Sequence, residues 1–305
     1  MAEITRNCTG CFRKTDSGVE AGNLRRESEG TMKTKHIRQC IVIALVGALA
    51  LTTSRADAQE AGADPAAELA KKLANPVAAL ISVPFQLNYD QDFGKDDKGS
   101  KWLLNIQPVI PFSLSEDWNL ITRTIVPLAA ENDVPAGTEG SGLGDILQSF
   151  FFSPKQLVGG WTLAMGPVFL YPSATDDVLG GGKWGAGPTA AALKQSGGWT
   201  FGMLANHIWS FAGDSDHADI NSTFLQPFLS YVTKTKTTVG LNSETTYNWE
   251  KEQWGVPVNA SVSQLLKIGP QILQVGLGAR YWLESPESGP ENFGFRATVT
   301  LLFPK

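Results

Sequence analysis

The sequence predicts an all-β protein, a closed antiparallel transmembrane β-barrel of about 12 strands with short periplasmic turns and long extracellular loops. Two observations predict it. From residue 77 onward, segments of about ten residues alternate between apolar and polar side chains, and the connections between them are alternately long and short. The segment length matches a tilted strand that crosses the hydrocarbon layer, whereas strands in soluble proteins average about five or six residues.

The last segment shows the alternation most clearly. Phe295, Val299 and Phe303 fall on one face, and Arg296 and Thr298 fall on the other. Contact with lipid explains an apolar outer face, and a watery or polar lumen explains the inner one. The predicted strands cover residues 77–89, 101–112, 118–129, 143–153, 161–171, 184–193, 199–211, 222–232, 237–248, 256–266, 271–283 and 293–303.

The connections predict the orientation and the closure of the sheet. The predicted long connections are 90–100, 130–142, 172–183, 212–221, 249–255 and 284–292, and the predicted short ones are 113–117, 154–160, 194–198, 233–236 and 267–270. Alternating lengths with an even strand number are typical of outer-membrane barrels. Because backbone groups in lipid must be paired within the protein, such a sheet has to close on itself.

Tryptophans near the segment ends favour the same interpretation. They are Trp102, Trp118, Trp161, Trp184, Trp199 and Trp249. Aromatic residues in these positions would form the girdles that meet the lipid headgroups. The alternative is a soluble β-sandwich in which tryptophans cover the rim of the sheet.

The composition excludes two other classes of protein. A mean hydropathy of -0.09 cannot supply several apolar helices of about 20 residues, which excludes a polytopic helical membrane protein. The chain has 25 basic and 30 acidic residues, which argues against a nucleic-acid partner.

The first 76 residues have a different character from the rest. Lys33, Lys35 and Arg38 follow Met32 and precede an apolar stretch at 41–51, and a small-x-small cleavage site ends at Ala58. This order is typical of a secretory signal peptide. We therefore predict an upstream, unstructured extension at 1–31, a signal peptide at 32–58, an N-terminal linker at 59–76 and an outer-membrane β-barrel at 77–305. The alternative is an unusually long n-region that includes residues 1–31.

This division leaves the exported chain without cysteine. Cys8, Cys11 and Cys40 all precede the predicted cleavage site, so disulfides cannot hold the fold together. The predicted location is the bacterial outer membrane. The predicted partners are outer-membrane lipid and, during biogenesis, the barrel-assembly machinery.

Charged and amide side chains on the inner face are the candidate site residues. Arg123, Arg280 and Arg296 fall on the polar face of predicted strands, and rings of such residues set the anion preference of a pore. The alternative is that these arginines pair with Glu244 or Asp145 and fill a small barrel, since small barrels are often filled rather than open. The other lumen candidates are Asn105, Gln107, Asn206 and Gln274.

We predict no catalytic residues, cofactor or metal. The acidic residues concentrate in the long connections, where solvation explains them. A hydrolase would need a serine, a histidine and a polar orienting residue gathered together in space, and His207 has Asn206 and Ser210 nearby in sequence. However, alternation places His207 on the outward face, so an outer-membrane hydrolase is the less favoured alternative.

Several ordered motifs resemble those of one family. They are NPVA at 75–78, IQPVIPF at 106–112, GLGDI at 142–146 with FSP at 152–154, LQPF at 225–228, WGVPV at 254–258 and LFPK at 302–305. Together they resemble bacterial outer-membrane proteins grouped with the transporters of meta-pathway phenol degradation, some of which carry the label "neuromedin U". The resemblance implies a β-barrel that passes small, hydrophobic or aromatic molecules, and it brings no catalytic residues.

The hypothesis for function is therefore a channel or transporter for small molecules. A filled barrel with a structural or surface-recognition role is the alternative. One feature departs from the usual barrel pattern, because Pro304 and Lys305 follow the aromatic Phe303 at the end of the sequence.

Overall fold

The computed structural model describes residues 65–134 and 137–303. The predicted extension at 1–31 and the predicted signal peptide at 32–58 lie outside the described residues. In the described part, one α-helix and a short 3₁₀ turn accompany fifteen β-strands. No helix there combines the length and the apolar character needed to cross a membrane.

The elements follow one another in simple order along the chain. They are α1 (Pro65–Leu73), β1 (Ile81–Phe93), β2 (Gly99–Ile106), β3 (Val109–Ser113), β4 (Trp118–Asn132), β5 (Glu139–Leu143), β6 (Ile146–Pro154), β7 (Thr162–Tyr171), the 3₁₀ turn (Asp177–Leu179), β8 (Lys183–Ser196), β9 (Trp199–Gly213), β10 (Asn221–Val232), β11 (Thr237–Ser243), β12 (Thr245–Asn248), β13 (Gln253–Ile268), β14 (Gln271–Glu284) and β15 (Phe293–Phe303).

The strands form one closed antiparallel sheet. Each strand pairs with its neighbours in sequence order, and β1 pairs with β15 from Ile81 opposite Phe303 to Tyr89 opposite Phe295. Three crossings are each built from two short strands: β2 with β3, β5 with β6, and β11 with β12. The wall of the described part thus crosses twelve times, and the predicted twelve-stranded barrel is confirmed.

The three interruptions carry polar residues that the sequence had singled out. They lie at Gln107 with Pro108, at Gly144 with Asp145, and at Glu244. Pro108 cannot donate a ladder hydrogen bond, but its carbonyl accepts one from the Thr124 amide at 3.1 Å. Local irregularities of this kind change the direction of side chains. Gln107 and Glu244 point into the lumen, and Asp145 contacts an outer loop.

The outer surface is apolar over the middle of the wall. Leu277 on β14, paired with Val262 and Ala297, has 58% of its surface exposed. Aromatic pairs border this belt at both ends. Tyr89 lies with its ring centroid 4.6 Å from that of Trp102 near the longer connections, and Trp199 lies 4.8 Å from Tyr231 near the short turns. This is the surface of a barrel that spans a membrane.

The strands continue beyond the predicted ends on the long-loop side. The connections there cover 94–98, 133–138, 172–182, 214–220, 249–252 and 285–292, so several are shorter than expected. Asp90 and Glu131, which the sequence analysis assigned to loops, lie in β1 and β4 and are buried. The prediction failed here because the wall above the lipid has polar residues on both faces, and the alternation disappears.

The N-terminal segment packs into the short-turn end of the lumen. Strand β1 begins at Ile81, four residues later than predicted, and residues 65–80 pack against inward-facing side chains. We call residues 65–80 the N-terminal plug. Ala70 of α1 is fully buried in a cluster with Val232, Leu265 and Leu302, and Val77 is buried against a second apolar cluster. Part of the predicted linker at 59–76 is therefore a packed helix.

The apolar belt yields a depth-dependent prediction. Leu277→Arg places a charge near the middle of the belt and should destabilise the folded barrel by about 2–4 kcal/mol, whereas Leu283→Arg near the end of the same strand should cost about 0–1 kcal/mol. Denaturant titrations of the barrel in lipid vesicles measure both. Equal losses at the two positions would contradict the assigned membrane boundary.

Candidate functional site in the barrel lumen

Two arginines and two carboxylates form a buried network in the lumen. Arg296 Nη2 lies 2.7 Å from Glu244 Oε2, and Arg280 Nη1 lies 3.5 Å from the same oxygen. On its other side, Arg280 Nε lies 3.3 Å from Asp90 Oδ1. We call these four residues the arginine–carboxylate network. Its charges sum to zero, so it holds two guanidinium groups in the lumen without a net charge.

The register of three strands creates the space for this network. Arg280 on β14 lies opposite Gly294 on β15, and Arg296 on β15 lies opposite Gly278 on β14. A Cβ atom at Gly294 would lie 2.7 Å from the Asp90 carboxylate. The absence of a side chain at this position therefore lets the carboxylate approach Arg280.

Neutral side chains orient the charged ones. Arg296 Nε donates a hydrogen bond of 2.7 Å to Asn88 Oδ1, and Trp282 Nε1 donates one of 2.9 Å to Asp90 Oδ1. The Arg280 guanidinium also lies 4.8 Å from the centroid of the Trp282 ring, within the range of a cation–π interaction. These contacts fix the side chains of the network, as buried charges require.

Arg123 is separate from this network. Its Nη2 donates a hydrogen bond of 2.7 Å to Gln107 Oε1. Among the described residues, no carboxylate oxygen lies within 4.0 Å of its guanidinium. The three predicted lumen arginines therefore divide into two that form ion pairs within 4.0 Å and one, Arg123, that interacts with Glu244 only at longer range.

Of the other predicted residues, Gln274 lines a cavity together with Arg123 and Gln107, whereas Asn206 and Asn105 lie elsewhere on the wall. Asn206 is buried on β9 between Thr189 and Phe224, and Asn105 on β2 lies opposite Gln86. Gln274 Nε2 lies 3.4 Å from Thr238 Oγ1.

Asp145, the second predicted arginine partner, has a different role. Its carboxylate accepts hydrogen bonds from the Gly181 amide at 2.6 Å and the Ala174 amide at 3.2 Å. Both donors belong to the connection 172–182, so Asp145 organises an outer loop. The predicted pairing with an arginine is realised by Glu244.

An apolar cluster occupies the short-turn end of the lumen. It comprises Val77, Val109, Ile121, Phe151, Ala164, Ala191, Leu193 and Leu204, with Phe224 and Phe228 packed against it. These wall residues belong to β3 to β10, whereas the arginine–carboxylate network belongs to β1, to β14 and β15, and to the break between β11 and β12. The lumen thus has an apolar side and a charged side.

A cavity of about 140 Å³ lies between the N-terminal plug and the wall. The plug contributes Lys72, Leu73 and Leu80 to its lining, and the wall contributes Val109 and Arg123. The Lys72 side chain is exposed, so the cavity reaches the short-turn end of the barrel. This cavity therefore places Arg123, which has no ion pair within 4.0 Å, next to apolar surface.

His207 and Ser210 do not form a catalytic arrangement. His207 Nδ1 lies 2.7 Å from Thr223 Oγ1, and its ring lies 4.0 Å from that of Trp209 on the outward face. The Ser210 hydroxyl donates to Asp219 at 3.2 Å and accepts from the Ile220 amide. Residues three apart on a strand point to opposite sides, which separates the two side chains.

Three residues of the site were missed by the sequence analysis. Asp90 and Asn88 stand at the end of the first predicted strand, where the polarity reads as a loop. Trp282 lies two positions from Arg280 on β14, so the alternation of the strand places both side chains on the inward face. This alternation could have predicted an inward tryptophan beside the arginine.

One comparison with a solved structure supports the architecture. No family model and no curated protein matches the sequence. A solved structure, the COG4313 outer membrane channel from Pseudomonas putida F1, aligns with a TM-score of 0.58 at 16% identity, covering 82% of this chain and 100% of that chain. The NanC porin aligns with a TM-score of 0.45 at 11% identity, covering 74% of this chain and 100% of that chain.

A third solved structure is the outer membrane phospholipase A from Escherichia coli, with a TM-score of 0.45 at 10% identity, covering 73% of this chain and 96% of that chain. At these identities, the first comparison shows a shared fold and no more. The closed wall, the apolar belt and the aromatic girdles identify this chain as a bacterial outer-membrane β-barrel.

Proposed function

We propose that this protein is an outer-membrane channel that passes small molecules when the N-terminal plug leaves its seat in the lumen. One observation carries the proposal: the short-turn end of the lumen is occupied by a segment that is not part of the sheet. A barrel of about eight strands is filled by its own side chains, and the diameter grows with strand number. A twelve-stranded wall encloses more space, and here the plug occupies part of it.

The contacts of the plug support its displacement. Its seat is mainly apolar packing, together with a hydrogen bond of 2.8 Å from Gln195 Nε2 to the Lys71 carbonyl. Leaving this seat breaks no pairing between strands. Because side-chain packing and not strand pairing holds the plug, it can open at a lower free energy than the hydrogen-bonded wall around it.

The lumen suggests the kind of solute. Arg123 gives it a positive charge beyond the neutral network, which favours anions. The apolar cluster offers contact to hydrophobic or aromatic groups, the class that the family resemblance implies. We infer that the solute is small and carries apolar surface, and that the barrel-assembly machinery inserts the wall, because an unclosed sheet would expose unpaired edges to lipid.

We assign no catalytic role to the described residues. The separation of His207 from Ser210 supports this part of the proposal. The neutral network and the plug also suit a filled barrel with a structural role, so conductance has to decide between the two functions.

Loosening the plug should open the channel. Val77→Asp buries a carboxylate in the apolar cluster and removes a side chain whose burial stabilises by about 1.5–3 kcal/mol, so the open probability should rise by about tenfold or more. Recordings of the refolded protein in planar bilayers measure it. The matched control is Val158→Asp in an exposed turn, which should leave the openings unchanged. Silence of both variants, with the barrel folded, would support the filled barrel.

Removing the unneutralised cation should change the ion preference. Arg123→Gln lowers the charge of the lumen by one, and the reversal potential in a KCl gradient should move towards cations. Lys98→Gln, in an exposed outer loop, is the control and should have little effect. An unchanged reversal potential in Arg123→Gln would show that ions do not pass this residue.

Removing the bridging carboxylate should have the opposite electrical effect. Glu244→Gln leaves Arg280 and Arg296 with one carboxylate, so anion preference should increase and stability should fall by about 3–5 kcal/mol. Reversal potentials and denaturant titrations report the two effects, with exposed Glu250→Gln as the control. A shift of Glu244→Gln towards cations would contradict the assigned lumen charge.

A further inference from the structure

The cavity between the N-terminal plug and the wall has an unusual combination of linings. Arg123 from β4 and Lys72 from α1 border it, and no aspartate or glutamate of the described residues does. Leu73, Leu80 and Val109 supply apolar surface to the same space. A cavity with two cations, no carboxylate and an apolar part is complementary to a molecule that has a negative charge at one end.

We propose that this cavity binds a small amphipathic monoanion, a carboxylate attached to a compact apolar body of one ring or a short chain, with Arg123 as the carboxylate anchor. The inference deepens the proposed channel function, on which it rests, by naming the class of ligand. Benzoate has the chemistry that the cavity fits.

The surroundings of Arg123 make it the anchor. Its one hydrogen bond to a side chain within the described residues uses Nη2, on Gln107. A guanidinium has five N–H donors in a planar fork that matches a carboxylate, so donors remain for a ligand. Arg280 and Arg296 each lie within 4.0 Å of Glu244 or Asp90, whereas Arg123 has no ion pair within that distance and interacts with Glu244 only at longer range. A partly buried cation without a close ion pair favours the arrival of an anion.

The size of the cavity limits the apolar body. Its volume is about 140 Å³. An apolar cavity of about 150 Å³ is large enough to hold benzene, whereas sites for drug-sized ligands measure about 300–1,000 Å³. The cavity therefore accommodates one ring and excludes large or fused-ring acids.

Both the plug and the wall line this cavity, so a bound ligand affects the position of the plug. A ligand in the cavity touches the plug through Leu73 and Leu80 and the wall through Val109 and Arg123. It therefore binds the seated arrangement and not the displaced one, which stabilises the seated plug. At a ligand concentration ten times the Kd, the open fraction should fall by about tenfold.

Binding of 4-fluorobenzoate to the purified barrel in an uncharged detergent tests the proposal. Fluorine NMR gives its Kd and that of 4-fluorobenzyl alcohol, which has the same ring and no charge. We expect the anion to bind at least about tenfold tighter than the alcohol, the difference that one charge-assisted contact of about 1.4 kcal/mol produces. Arg123→Gln should remove this difference.

Matched variants distinguish a specific contact with Arg123 from a general electrostatic effect of nearby charges. Lys267→Gln, at the exposed end of β13 on the same side of the barrel and outside the cavity lining, should leave both affinities unchanged. Lys72→Gln should weaken the anion by only about twofold, since exposed charges contribute little. Val109→Phe fills the cavity while keeping Arg123, and it should abolish binding of both probes even if Arg123→Gln fails to fold.

Three results would overturn the proposal. The first is equal affinity of wild type and folded Arg123→Gln for 4-fluorobenzoate. The second is unimpaired binding in Val109→Phe, and the third is complete displacement of the probe by an equal concentration of inorganic phosphate, which would show a site for charge alone. Binding is measured without conduction, so a barrel that conducts but does not bind contradicts only this inference. A barrel that binds but never conducts contradicts only the channel.

Discussion

The pairing of β1 with β15 is the constraint on which the rest of the structure depends. Lipid offers no hydrogen bonds, so every backbone amide and carbonyl of the wall needs a partner within the protein, and only a closed sheet supplies them all. Closure fixes which side chains point inward, because the period of a strand is two. It also limits where the ladder can break. At Pro108, where the chain has no amide hydrogen, the carbonyl is still satisfied by the Thr124 amide, and the break leaves Gln107 next to Arg123.

A closed wall has to balance the charges that it encloses. Glu244 comes from the break between β11 and β12, Asp90 from β1, and the two arginines from β14 and β15, so four distant parts of the sequence form one neutral group. Asn88 accepts a hydrogen bond from Arg296, and Trp282 donates one to Asp90. Arg123 forms no close ion pair with this group and interacts with Glu244 only at longer range, and it lies where the N-terminal plug meets the wall. A positive charge there is available to a ligand, whereas the charges of the network are available mainly to one another.

The sequence predicted the wall well and the contents of the lumen only in part. Alternation between Phe295 and Arg296, repeated along each strand, is a local property, and it located the strands and the inward arginines. Which carboxylate meets which arginine depends on the register between strands far apart in sequence, and the sequence left Glu244 and Asp145 as equal alternatives. A short N-terminal helix or linker at 66–73 was all that the sequence indicated, and its packing inside the lumen could not be predicted for another reason. Ala66, Leu69, Ala70 and Leu73 have helical spacing, but nine residues are too few for a stable isolated helix, and only the inner surface of the barrel makes this helix favourable.

The arginine–carboxylate network and the N-terminal plug both occupy the lumen, and they differ in whether they can leave it. The network side chains are attached to the wall, so they can change rotamer but cannot clear the lumen, and each change would separate buried charges. The plug joins the described wall through the chain between Leu80 and Ile81 and is held by side-chain packing, so it can move as a unit while every strand stays paired. Because the cavity beside Arg123 exists only while Leu73 and Leu80 form one side of it, the state of the plug and the occupancy of the site are one coupled equilibrium. A solute that binds there therefore acts on the same segment that closes its path.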